Sequence, residues 1–359
     1  MPDRNSYSHT KYMISAEASL LAAMERINRL SDDSLTLFVE PSPGSGLIAG
    51  SLTDGDIRRA LISGSSLADP VETAMRRDYM ALRPDDDALR VFARARSRGV
   101  RMLPRLDGDG CIAEVIDLAT RKNLLPLDAV LMAGGRGERL RPLTLETPKP
   151  LLRIGGKPII DYNVEELEAN GIENIFVTVN YLKEQLIEHF ASRRGTARVS
   201  CVEEPCRLGT MGSLALVEGL SHDNLLVMNS DVLTGLSFAD MLRHHLDSGA
   251  DLTMATIGYN VAVPFAILDI DGDRVTGMKE KPSYNYSANA GVYMMKRTLI
   301  SRIAREQYLD APDFILSLIA DGLKVSHFPI RGTWIDIGSP ADFKYADELM
   351  SRPAPAASY

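Results

Sequence analysis

Two rhythms of apolar and polar positions divide this chain. Up to about residue 125 the order helix, strand, strand, helix occurs and then weakly recurs. Residues 16–27 carry apolar side chains at helical spacing and lead to the apolar run 35–39. A Pro/Gly/Ser turn at 41–46 follows, then a strand over 47–52 and a helical stretch over 54–61. Further on, Pro84-Asp85-Asp86-Asp87 predicts the cap of a helix over 88–98. Strands are predicted over 101–106 and 111–116, joined by the turn Asp107-Gly108-Asp109-Gly110. Beyond Leu124-Leu125-Pro126 the pattern changes: 128–133, 175–179, 199–202, 225–228 and 252–257 read as strands, and 159–169, 183–190, 212–219 and 238–246 as the helices between them. Such alternation predicts an α/β domain with a mainly parallel sheet and helices on both faces, preceded by a smaller α+β domain. Helices and edge strands after about residue 260 are expected to complete it, with ligands beyond the C-terminal strand ends. The expected divisions are 1–125, 127–350 and a tail, 351–359, whose three alanines and two prolines predict disorder.

Charge and cysteine usage narrow the functions open to such a chain. Its 359 residues carry 40 Lys and Arg against 48 Asp and Glu, a formal charge of -8. Binding nucleic acid as the main partner usually needs a basic face, so it is not expected; a small phosphorylated ligand needs only a few local Lys and Arg. Cys111, Cys201 and Cys206 lack the number and the histidine spacing of a zinc site and read as thiols in a reducing cytosol. No run approaches the roughly 20 apolar residues of a membrane helix. Residues 1–11 are polar, without the apolar stretch of a signal peptide, so a cytoplasmic protein with no membrane partner is expected.

The sharpest chemical signal is the stretch 130–152. The apolar run Val130-Leu131-Met132-Ala133 enters Gly134-Gly135-Arg136-Gly137, and Glu138-Arg139-Leu140-Arg141-Pro142 leads on to Pro148-Lys149-Pro150. Glycines there permit positive φ and let backbone N–H groups close around a triphosphate. Arg139 offers a fork for phosphate oxygens and Lys149 a mobile point charge. A dinucleotide fingerprint would need Gly or Ala where Leu140 stands, and a Walker A loop would need Ser or Thr after Gly156-Lys157, where Pro158 stands. With Ile154-Gly155-Gly156-Lys157-Pro158-Ile159-Ile160, this stretch resembles the signature of the sugar-nucleotide pyrophosphorylases, sugar-1-phosphate nucleotidylyltransferases of Rossmann-like fold. The resemblance covers about residues 127–342. It implies that Arg139 and Lys149 hold the phosphates of a nucleoside triphosphate and that Met132, Ala133, Gly134, Gly135 and Gly137 border the nucleotide.

Other stretches continue that resemblance. An apolar strand pattern ends at Asn229-Ser230-Asp231, and Trp334-Ile335-Asp336-Ile337-Gly338 presents a second carboxylate. Mg²⁺ prefers oxygen ligands, often one or two carboxylates completed by substrate phosphates and water. Spacing alone cannot bring Asp231 and Asp336 together; the resemblance implies that they share the metal, and that Asp231 is catalytic with Arg139 and Lys149. Met278-Lys279-Glu280-Lys281-Pro282 and Asn289-Ala290-Gly291 are similar to the family's sugar-phosphate motifs, with Glu280, Lys281, Asn289 and Gly291 as the contacts implied. Glu203-Glu204-Pro205-Cys206-Arg207-Leu208-Gly209-Thr210 looks like the base-proximal loop, implying that Glu204, Gly209 and Thr210 border the nucleotide. Guanine has N–H donors that a carboxylate accepts, so either Glu203 or Glu204 would favour GTP; a solvated acidic turn is the alternative for both.

The first part resembles a tandem CBS pair, a module that often senses nucleotides, best over Leu52-Thr53-Asp54-Gly55-Asp56-Ile57-Arg58-Arg59. Thr53 and Asp56 are then the candidates for a regulatory nucleotide, or else they only cap the helix that follows. The second repeat has Ile116-Asp117-Leu118 where a fuller motif would stand. A CBS pair joined to this transferase is similar to bacterial GTP-dependent glucosamine- and hexose-1-phosphate guanylyltransferases, which implies GTP and a hexose- or amino-hexose-1-phosphate as substrates. UTP, dTTP or CTP would serve the same chemistry. Both modules commonly self-associate, so a homo-oligomer is implied as well. The rival reading is a nucleotide sensor without catalysis, against which the retention of Arg139, Lys149, Asp231, Lys281 and Asp336 argues.

Overall fold

A computed structural model describes residues 9–30 and 36–351. Two compact units meet in sequence at Leu124 and Leu125. Of the predicted run 35–39, Leu35 lies outside the described residues, as do residues 352–359 of the tail for which disorder was expected.

In the first unit, β1 (Met13–Ser15) pairs in parallel with β2 (Thr36–Glu40), which pairs antiparallel with β3 (Gly50–Thr53). Between them α1 (Leu20–Arg29) buries Leu20, Ala23 and Ile27, one stripe of the helix. It begins four residues later than the periodicity of 16–27 predicts, because the Ser19 hydroxyl caps it by accepting the Ala22 N–H at 3.1 Å. The Thr53 and Asp56 side chains start α2 (Asp54–Ile62) with a reciprocal capping box. Asp87 caps α3 (Ala88–Ser97), and β4 (Met102–Leu106) and β5 (Ile112–Asp117) form a separate hairpin. Two apolar clusters result, one around Leu37, Phe38 and Leu52, the other around Phe92, Leu103 and Ile116.

The second unit begins with β6 (Asp128–Met132), followed by the short pair β7 (Arg153–Ile154) and β8 (Lys157–Pro158). Then come α4 (Ile159–Ala169), β9 (Asn174–Val179), α5 (Lys183–Ala191), β10 (Arg198–Glu203), α6 (Gly209–Gly212) and β11 (Asn224–Asn229). They are followed by β12 (Val232–Thr234), α7 (Phe238–Ser248), β13 (Leu252–Ala262), β14 (Ile267–Asp271), β15 (Arg274–Lys279) and β16 (Ser283–Lys296). α8 (Ala311–Ala320), β17 (Val325–Pro329), β18 (Trp334–Asp336) and α9 (Pro340–Met350) complete the unit. Seven strands form one mixed sheet in the order β10-β9-β6-β11-β16-β13-β17. The pairs are parallel except at β16, which runs antiparallel to both neighbours. Helices cover both faces. Leu252 packs with Phe314 and Leu318 of α8, whereas its neighbour Thr253, facing the other way, bonds His245 of α7 at 2.9 Å.

Two expectations need correction. Of the edge strands expected after residue 260, β17 does close one edge of the sheet, but β16 is internal: it sits between β11 and β13 and pairs along both. The helix expected over 212–219 is instead the four-residue α6 and a 3-10 turn at Ser213–Leu216. Gly212 lies so close to the Gln307 carbonyl that a Cβ would stand 2.5 Å from it, and a crossing chain that near leaves no room for a longer amphipathic helix. No helix among the described residues is long and apolar enough to cross a membrane.

His245 is buried, and its Nε2 has no partner. Burial, aided by the Lys296 charge and opposed by Asp251, pushes its pKa down to about 4 from the usual 6.5. The unfolded chain therefore binds more protons between pH 6.5 and 4, so this stability is present above that window and is lost as pH falls through it. The loss should reach about 3 kcal/mol by pH 4 at 1.36 kcal/mol per unit. Urea unfolding followed by the single tryptophan, Trp334 of the second unit, should show it in the wild type and much less in His245→Gln. Parallel pH profiles for the two proteins would remove His245 from the account.

Candidate functional site

The parallel register of β6 and β11 sets Met132 beside Asn229, so the chain segments that follow leave the sheet at one edge. After β6 comes the turn 133–137, in which Gly137 has φ of +60°. A Cβ on Gly137 would stand 2.9 Å from Thr144 and 3.1 Å from Lys149, so the turn folds back tightly onto the segment carrying that lysine. After β11 come Ser230 and Asp231; Ser230 Oγ donates to the Met132 carbonyl at 2.8 Å, and Asn163 of α4 donates to the Ser230 carbonyl at 3.0 Å. β12 then pairs antiparallel with β18, and the Ile337 N–H donates to the Asp231 carbonyl at 3.1 Å. That short ladder is what brings Asp336 to Asp231.

Four charged groups converge at this point. The buried Lys149 ammonium forms an ion pair with Asp231. Burial, and next the Asp231 carboxylate, push Asp336 above the usual carboxylate range, while Lys149 and Arg139 pull the other way. The Arg139 guanidinium lies against Gly338, where a Cβ would be 3.2 Å from two of its nitrogens. Among the described residues no group of three or more His, Cys, Asp or Glu is gathered for a metal. Two neighbouring carboxylates, one raised by burial and by the other, do fit a hard divalent cation whose remaining ligands come from phosphate and water.

Two adjoining cavities open here, of about 360 and 200 Å³, sharing Met132, Gly135, Arg207 and Asp231 in their walls. Ala133, Gly137, Arg139 and Lys149 line the larger. Gly134, Glu204, Gly209 and Thr210 line the smaller. Gly134 is held against Glu204, whose Oε1 would be 2.5 Å from a Cβ. The two glutamates left open by the sequence separate in space. Glu203 pairs with Lys183 at 2.6 Å on the surface, whereas Glu204 is buried and its pKa is raised by that burial. Thr210 also has structural work: its Oγ1 accepts the Ala311 N–H at 2.7 Å, and its own N–H donates to Asp310 at 3.1 Å.

The sugar-motif residues divide. Gly291, with φ of +72°, lies against Asn229 of the smaller cavity, and its N–H donates to Asn289 Oδ1 at 3.0 Å. Asn289 Nδ2 in turn donates to the Tyr293 hydroxyl at 2.7 Å. Glu280 and Lys281 are exposed at the base of the β14–β15 hairpin and line neither cavity. Arg207, Asn229 and Asp310 line the cavities without having been singled out from the sequence. Asn229, in line with Asp231 at the end of a strand, was the one most open to inference.

In the first unit a cavity of about 370 Å³ is lined by Thr53, Asp56 and Tyr79, together with Arg59, Arg76, Arg98 and Arg101. Asp56 is fully engaged. One carboxylate oxygen accepts from the Thr53 N–H at 3.0 Å and hydroxyl at 2.5 Å, and the other pairs with Arg59 and with Arg76, the latter at 2.8 Å. Burial alone would raise its pKa, but the Thr53 and Arg59 hydrogen bonds hold it below the usual range.

Comparison with known proteins agrees with the second unit's geometry. A family model described as nucleotidyl transferase matches residues 128–351. The mannose-1-phosphate guanylyltransferase catalytic subunit beta of Danio rerio is 33% identical over 226 residues, 60% of this chain and 62% of that protein. The mannose-1-phosphate guanylyltransferase of Mycobacterium tuberculosis is 32% identical over 240 residues, 64% of this chain and 67% of that one. The chain thus spans about two thirds or less of the length of these relatives. The crystal structure of HddC from Yersinia pseudotuberculosis superposes with a TM-score of 0.50 at 26% identity, covering 62% of this chain and 99% of that one. More than half of the sequence falls within the family match, and this chain belongs to the nucleotidyl transferase family.

Proposed function

We propose that the second unit transfers a nucleoside monophosphate from a nucleoside triphosphate, GTP in preference, to a hexose- or amino-hexose-1-phosphate. The observation that carries this reading is that Arg139, Lys149 and Asp231 line the larger cavity beside a glycine turn, with the Asp336 carboxylate close enough to feel all three charges. The guanylyltransferase names of the relatives support GTP and mannose-1-phosphate among the substrates.

The reaction needs no protein nucleophile. A phosphate oxygen of the sugar-1-phosphate attacks the α-phosphorus in line, the bond to the bridging oxygen breaks, and pyrophosphate leaves with its electron pair. Catalysis of this kind is alignment and charge neutralisation. Backbone N–H groups of the 134–137 turn and the Arg139 guanidinium receive the phosphates, and Lys149 adds positive charge where the turn meets the end of β11. Asp231 and Asp336 would hold Mg²⁺, which when bound offsets the negative charge of phosphate oxygens. Glu204 faces the smaller cavity as the carboxylate that accepts guanine N–H groups, and Gly209 lets the chain approach it closely. Asn289 and Gly291 border the sugar, with Glu280 accepting from its hydroxyls and Lys281 pairing with its phosphate when the hairpin base meets the substrate. The first unit serves as a CBS-like regulatory module with Thr53 and Asp56 in its nucleotide cavity, and the enzyme works in the cytoplasm.

Pyrophosphate release, measured with four NTPs against a panel of hexose-1-phosphates, should be fastest with GTP. Asp231→Asn should lower metal-dependent kcat by about 100-fold or more while far-UV circular dichroism stays unchanged; near-normal turnover would take Asp231 out of the site. Glu204→Gln should cut kcat/KM for GTP by at least about tenfold and spare UTP and dTTP, since a pocket built on one hydrogen bond discriminates through it. Equal losses with every base would leave Glu204 only a packing role. A chain shortened to begin at Leu125 should keep the chemistry but lose its response to added nucleotides; an unchanged response would leave the first unit no regulatory part.

A further inference from the structure

Among the described residues lining the smaller cavity, Glu204, Asp231 and Asp310 are carboxylates and Arg207 alone is a cation. Two of the carboxylates are committed elsewhere. Asp231 pairs with Lys149, and Asp310 accepts the Thr210 N–H on one oxygen at 3.1 Å and the Tyr308 hydroxyl on the other at 2.6 Å. Arg207 is not so committed: among the described residues no hydrogen bond or ion pair holds its guanidinium. What it rests on is a ring. Its guanidinium carbon stands 5.7 Å from the centre of the Tyr308 ring. A contact through the face of a guanidinium leaves the N–H donors in its plane free for a ligand. The Leu208 N–H, next in the chain, donates to Glu204 Oε2 at 3.3 Å, so one short turn carries the acid and the cation into the same cavity. Asp310 anchors both Tyr308 and Thr210, which fixes the ring under Arg207 to the far end of that turn.

We infer that Arg207 is a second residue that selects the base, its guanidinium donating to O6 and N7 of guanine while Glu204 accepts from the N–H groups. The inference rests on the proposed reading of Glu204 and adds the opposite half of the recognition. Guanine presents two donors, at N1 and the 2-amino group, and on the adjoining edge two acceptors, O6 and N7. A carboxylate answers only the donors; a guanidinium fork matches the acceptors, the pairing most used where proteins read guanine. Adenine sets an amino donor where guanine has O6, against the N–H groups of Arg207, and pyrimidines have no N7. A role at the phosphates is less suited to this side chain. The larger cavity, which Arg207 also borders, already has Arg136, Arg139 and Lys149 in its wall, whereas beside Glu204 no other cation stands among the described residues.

Calorimetric titration of the full chain without sugar phosphate, so that nothing turns over, tests the two contacts through the base itself. ITP lacks the 2-amino donor and 7-deaza-GTP lacks the N7 acceptor. The wild type should bind each about tenfold more weakly than GTP. Arg207→Ala, which removes an exposed side chain and should keep the melting profile, should bind GTP and 7-deaza-GTP alike and still discriminate against ITP. Inorganic tripolyphosphate, which has no base, should bind both proteins equally. A wild type that holds ITP as tightly as GTP removes the reading of Glu204, and this inference with it. One that rejects ITP but accepts 7-deaza-GTP at full affinity overturns the inference alone. So does an Arg207→Ala variant that weakens GTP and tripolyphosphate by one factor, since the guanidinium then serves the phosphates.

Discussion

One buried carboxylate at the far end of β6 fixes the strands from which the site is built. Asp128 is wholly buried and accepts the Ser221 N–H at 2.6 Å, the His222 N–H at 2.9 Å and the Asn174 side-chain amide at 3.0 Å. Burial alone would raise its pKa, and these bonds reverse the shift, so it is held as an anion below the usual range. Asn174 opens β9, and His222 stands two residues before β11. Three neighbouring parallel strands thus start from a single clamp. A slip of one residue would turn every side chain to the wrong face and leave that charge buried without partners, so the register is over-determined.

What the clamp sets at one end is read out at the other. With β6 and β11 in register, the glycine turn and Asp231 emerge side by side, and the β12–β18 ladder adds Asp336 from much later in the chain. Four charges crowd one point: Asp231 pairs with Lys149, and Asp336 stays raised by burial and by Asp231 although Lys149 and Arg139 pull it down. Opposed charges with a shifted carboxylate at a strand end are a feature of functional sites.

Legibility in the sequence followed locality. The apolar run into three glycines, and the strand that ends in Asp231, are contiguous signals whose elements fall where the periodicity puts them. Asp336 carried no such signal, because its partnership depends on a two-strand ladder closed over a long separation; only the family resemblance pointed to it. Arg207 and Asp310 belong to no periodic pattern and are brought in by loops. Glu203 and Glu204 stand adjacent at the end of β10, where neighbouring side chains turn to opposite sides, and only coordinates separate the surface ion pair from the buried acid. The place of β16 was illegible for a different reason. Its first half is polar and exposed and its second half buried on both sides, so it reads as no single kind of strand.

In the first unit the capping reading of Thr53 and Asp56 is the one observed. Thr53 and Asp56 do cap α2, and they also line a cavity in which four arginines outnumber the carboxylates of Asp56 and Asp78. The cap uses one oxygen of Asp56 and the guanidiniums of Arg59 and Arg76 take the other, so neither oxygen is left without a partner. A sugar hydroxyl that donated to Asp56 would have to displace one of those pairs, and the guanidinium released would then face the ligand. A phosphate is the group that gains from such a release, because a guanidinium fork matches its oxygens and returns the lost hydrogen bonds. The cavity's chemistry is therefore set less by the two residues that stand out in the sequence than by the arginines that hold one of them in place.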